Sequence, residues 1–159
     1  LKVFNKGLGI ATQVNITFEI DLKELKQLLI IDEPRIKVTT SEIKIDEDGR
    51  KFIIVSTKSD HYGYQGSSKI LETERYGLGV IDKGDEVKAF IPSQIMSAFK
   101  LINLICRFKD REIVFPTILV KIDYKNIHEK SLSAKFRVGL VHIHDYGDYA
   151  MFRIYQEQF

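Results

Sequence analysis

The chain is poor in the residues that most chemistry needs. It has one cysteine and four histidines in 159 residues. A single thiol, Cys106, excludes an intramolecular disulfide, and in its apolar surroundings it reads as a small buried hydrophobe and not a nucleophile. No CxxC, HExxH or G-x-S-x-G motif is present, so the usual zinc, metalloprotease and serine-hydrolase signatures are excluded. Charge of one sign is also lacking: 24 basic residues face 22 acidic ones. A globally basic binder of nucleic acid is therefore excluded, although a local basic patch is not. No run reaches about 18 consecutive apolar residues, the length a membrane-spanning helix needs.

Internal repeats, low-complexity tracts and linkers are missing too. What remains is an ordinary globular composition, 44% hydrophobic and 29% charged, long enough for one domain over residues 1–159. The chain begins at Leu1 without methionine or a signal peptide, and is expected to be the ordered core of a longer intracellular protein. The triplet Asn15-Ile16-Thr17 fits a glycosylation sequon, but such triplets are common by chance.

Periodicity supplies the elements. Val14, Ile16, Phe18 and Ile20 alternate with polar residues and predict a half-buried strand. Asp21 predicts the cap of a short helix carrying Leu22, Leu25, Leu28 and Leu29 on one side, ended by Pro34. Two extended runs, 36–45 and 51–57, meet at "DEDGR", a hairpin turn. A change of apolar parity predicts a bulge or twist near Thr39 to Ser41. "KSDHYGYQGSSK", from Lys58 to Lys69, reads as a long loop. "DKGDE" is a turn before a strand from Val87 to Ile91.

Pro92-Ser93 opens the strongest helix, running to about Phe108. Gln94, Ser97, Lys100, Asn103 and Arg107 form its narrow polar stripe, so it is expected to be the spine of the core. "REIVFPTILVKIDY" is a long strand in which Pro116 predicts an edge or a bulge. Two extended runs around a turn close the chain. The expected class is α+β, a twisted, mainly antiparallel sheet packed against one long and one short helix.

Three candidate sites follow. In "VHIHDYGDY", His142 and His144 would share one side of a regular strand, and Asp145 or Asp148 could add an oxygen ligand. A third supported ligand is hard to find, since His61 lies in the loop and His128 in a turn. "DYGD" is otherwise a hairpin turn with Gly147 at positive φ. Parity also switches here, from Phe136, Val138 and Leu140 to Val141 and Ile143. That places a bulge at Gly139, or a strand buried on both faces through its middle. The second candidate is an interaction loop with His61, Tyr62, Tyr64 and Gln65, since exposed amphipathic aromatics suit a partner surface. "GYQGSSK" lacks the spacing of a phosphate-binding loop. The third is a basic patch of Lys100, Arg107, Lys109 and Arg111, which a helix C-terminus explains equally through its dipole.

Two segments carry a resemblance. "KAFIPSQI", Lys88 to Ile95, and "KFRVGLVHIHD", Lys135 to Asp145, resemble a pair of strands in rhabdovirus matrix proteins, as does the opening order of strand and then helix. The helix after Pro92 departs from that pattern and looks more like the strand-then-helix ending of the bornavirus matrix protein. The resemblance implies a non-enzymatic viral assembly protein, without cofactor, in the host cytoplasm and virion. It would associate with itself, bridge the inner face of a membrane to the nucleocapsid or its RNA, and meet host proteins. The residues leave two other classes open: an RNA-binding or movement-type viral protein with a β-rich core, and a metal-binding domain or hydrolase using His142 and His144.

Overall fold

The structure is a computed structural model, and it describes residues 1–7, 9–30, 35–59, 63–108, 115–146 and 149–158. The strands are β1 (Lys2–Phe4), β2 (Ala11–Ile20), β3 (Lys37–Thr40), β4 (Lys44–Ile45), β5 (Lys51–Ser59), β6 (Tyr64–Leu71), β7 (Thr73–Ile81), β8 (Glu86–Lys88), β9 (Ile118–Lys125), β10 (Ser131–Tyr146) and β11 (Tyr149–Gln158). Helix α1 (Leu22–Leu28) follows β2, and α2 (Ser93–Phe108) follows β8. The fold is α+β, and every pairing in its sheets is antiparallel.

A five-stranded sheet runs in the order β11-β10-β9-β2-β7. Its inner face starts with the alternation of β2: Val14, Ile16, Phe18 and Ile20 are all buried. Register then aligns Ile20 with Ile118 and Phe18 with Val120 on β9, and these with Val138 and Phe136 on β10. In the second sheet β5 is central, paired with β6 on one side and with β3 and β4 on the other. Its Ile53 and Val55 join the same core. Asp21 caps α1 by accepting the Lys23 and Glu24 N–H groups at 2.8 and 3.2 Å, and Leu22, Leu25 and Leu29 turn inward. Helix α2 buries Ile95, Phe99 and Ile102, each at most 1% exposed, in the core cluster that residues of both sheets share. No helix among the described residues is long and apolar enough to cross a membrane.

The break expected near Thr39 to Ser41 falls between β3 and β4. There the Ser41 hydroxyl replaces a carbonyl, accepting the Ile54 N–H at 2.9 Å. The "DEDGR" turn is present, with Gly49 at φ 76°.

Several expectations need correcting. Helix α1 stops at Leu28, well before Pro34, which lies outside the described residues. The strand predicted from Val87 to Ile91 is the shorter β8, held only where β1 supplies a ladder. Pro116 lies neither in an edge strand nor in a bulge. Strand β9 starts at Ile118, beyond the missing N–H, and occupies the middle of its sheet. Asn103 belongs to the buried side of α2 at 5% exposure, while Leu104 is 37% exposed. The stripe was drawn by polarity, and helix geometry puts Asn103 one turn from the buried Phe99.

The largest correction concerns Lys58 to Lys69. Most of this segment is ladder: β5 runs to Ser59 and β6 starts at Tyr64, pairing Ser59 with Tyr64 and Phe52 with Leu71. Glycine and serine hid a strand because one face of β6 needs only small residues. Gly66 stands opposite the buried Thr57, and Ile70 is the fully buried member of that face.

Candidate functional site

The inner face of the five-stranded sheet is longer than the helices can cover. Beyond the rows of Phe18 and Ile20, it continues through Ile16, Ile122 and Ala134 and then Tyr124 and Leu132. Past the end of the helical cover, this apolar face opens into a groove of about 580 Å³. The small residues Ala11 and Ala134 leave room along its floor.

The opposite wall is the N-terminal segment, and its path is set by Asn5. The Asn5 side chain donates to the Gly9 and Ile81 carbonyls at 2.8 and 2.9 Å and accepts the Gly7 N–H at 3.0 Å. The Asn5 backbone is also used, donating to the Asp85 carbonyl and accepting the Gly84 N–H. The β9–β10 turn forms the other side of the groove's mouth. Asn126 builds that turn, its carboxamide oxygen accepting the His128 and Lys130 N–H groups at 2.9 and 3.0 Å. Gly9 and Ile127 meet across the mouth, and a Cβ on the glycine would lie 3.1 Å from the Ile127 side chain.

Around the rim Phe4, Ile10 and Ile127 are 48, 42 and 60% exposed. Lys6 stands over the Phe4 ring at 5.9 Å, and His128, also on the lining, is exposed. Sequence reasoning missed this site. Its signal is present, since Ile122, Tyr124, Leu132, Ala134 and Phe136 keep period two for further than two helices can shelter.

The outer face of the same sheet is polar. Register aligns Arg75, Thr17, Lys121 and Lys135 in one row across β7, β2, β9 and β10. Lys121 stands directly opposite Lys135, an arrangement that costs energy unless an anion is near; Asp123 supplies one, 2.9 Å from Lys121.

The expected sites fare differently. His142 pairs with Phe152 and His144 with Met151, so the ladder shifts by one residue between them. The regular period of two that the sequence pattern assumes is therefore interrupted between the two positions. The bulge lies here and not at Gly139, which keeps regular pairing with Tyr155. Val138, Gly139 and Leu140 are all buried, matching a strand covered on both faces through its middle. Asp145 pairs with Ala150, while Gly147 and Asp148 lie outside the described residues. No group of three metal-binding side chains occurs among the described residues.

Of the proposed interaction loop, His61 and Tyr62 lie outside the described residues. Tyr64 and Gln65 are in β6, with Gln65 exposed. Lys100 is exposed on α2 and Arg107 lies in its last turn; Lys109 and Arg111 are outside the described residues.

Shifted ionisations lie away from the groove. Burial pushes the Glu74 carboxyl up, and one of its oxygens is buried without a partner. Burial also pushes up the Tyr76 phenol, which stacks on Phe18 and donates to the Phe90 carbonyl at 2.6 Å. Asp46 is opposite in sign. Burial raises it, but bonds from the Arg50 N–H, the Lys69 ammonium and the Arg50 guanidinium outweigh that and hold it well below the usual carboxylate range.

No protein family, curated protein or solved structure matches this chain.

Proposed function

We propose that the chain is a non-enzymatic, matrix-like viral assembly protein that associates with copies of itself through its strand edges. The observation that carries this reading is the handover within β10. Its pairing with β9 ends at Val138, whereas its pairing with β11 runs on to Tyr146. Among the described residues, β10 beyond Val138 has a partner strand on one side only, and β11 ends the sheet. Unpaired strand edges are templates for strand addition by another chain. In this reading the segment from Lys135 to Asp145 that resembles a matrix strand forms part of the assembling arm.

Proline at adjacent β11 positions tests the edge. Successive N–H groups point to opposite sides of a strand. Of Arg153→Pro and Ile154→Pro, one therefore removes a ladder donor and the other an outward one. The variant that keeps the native melting temperature should lose self-association in light scattering. Self-association that survives in that variant sinks the strand-edge account.

A second reading has its own support. The row of Arg75, Lys121 and Lys135 suits the phosphates of RNA, the alternative role of a β-rich viral core. RNA affinity falling steeply with salt, and weakened by Lys135→Glu, would favour it. Binding that is absent or indifferent to salt removes it.

A further inference from the structure

The groove beneath the N-terminal segment has a chemical polarity of its own. Its volume, about 580 Å³, lies within the roughly 300–1,000 Å³ of small-molecule sites. The floor is apolar, and among the described lining residues there is no carboxylate. The Asn5 carboxamide and the Asn126 carboxamide oxygen are already committed to backbone groups. Lys6 and His128, both exposed, add an ammonium and an imidazole to the lining. Lys6 is held near the opening by the Phe4 ring.

We propose that this groove binds a single-chain amphiphilic anion, its tail on the sheet's inner face and its carboxylate at Lys6 and His128. Apolar burial along Ile122 and Ala134 supplies affinity, and the one-signed rim selects the head group. The inference does not rest on the assembly role: the groove's lining on β10 ends at Phe136, whereas the edge proposed for assembly is β11 and β10 beyond Val138.

Calorimetric titration of the whole chain with dodecanoate and with dodecylammonium tests it. The expected result is saturable one-to-one binding of dodecanoate, at least tenfold tighter than the cation of equal length. Lys6→Glu, at an exposed position, should reverse that preference while leaving the melting temperature unchanged. Ala134→Phe should fill the floor and abolish binding of both. If that variant does not fold, Ile127→Glu places a carboxylate at the mouth from an exposed position and should weaken dodecanoate at least tenfold. Equal binding of the two head groups overturns the proposal, as does undiminished binding in the filled or recharged groove. So does the absence of saturable binding, including a chain that sediments with phosphatidylglycerol vesicles yet leaves dodecanoate unbound.

Discussion

Gly9 and Ile127 approach so closely that a single added methyl would stand 3.1 Å from the isoleucine side chain. Ile127 is 60% exposed and can rotate away, so this contact shapes the groove's mouth more than it holds the fold. Gly9→Ala should change stability by no more than about 0.5 kcal/mol. Asn5→Ala should cost about 1–3 kcal/mol, because it removes three hydrogen bonds that fix the same segment and leaves backbone groups unpaired. Denaturant titration of the two variants checks the contrast. Equal losses would mean that the segment is held by packing and not by Asn5.

Glu74 gives a pH test. Its folded carboxyl is raised by burial above the ordinary 4.5. A raised acid contributes stability that is fully present below its unfolded value and is lost as pH rises through the folded one. Glu74→Gln should therefore raise the melting temperature at pH 7, and the gain should vanish below about pH 4. A gain that persists unchanged into acid would point to a cause other than ionisation.

Asp46 gives the opposite slope. Its carboxyl is depressed, so its contribution is present above the unfolded value near 3.8 and is lost as pH falls towards the folded one. Asp46→Asn should lower stability at pH 7, and the two proteins should converge as acid is added. The turn itself gives the local readout. Exchange of the Arg50 N–H, bonded to Asp46 at 2.9 Å, should quicken in the variant. Unchanged exchange there would show that the backbone holds the turn without the carboxylate.

The sequence discloses elements best where one residue type decides. Pro92 starts α2, and three- and four-residue apolar spacing carries the helix to Phe108, as observed. The strand from Val14 and the Asp21 cap are equally local. Strand β6 was illegible because Gly66 and Ser68 have no apolar signal, and only pairing with β5 makes them a strand. Asn103 departs from the polar stripe because polarity alone does not set exposure on a helix buried on several sides. The register around the histidine pair is not legible, because no residue type there marks the point where the ladder slips by one residue. The groove escaped notice for a related reason. Its floor continues a legible alternation, but whether helices cover that face depends on tertiary packing.

The assembly claim rests most directly on mass in solution. Light scattering of the chain over a hundredfold dilution should give a mass well above the 18.4 kDa protomer at high concentration, falling towards it on dilution. A mass fixed at the protomer value throughout would contradict association through the β10–β11 edge.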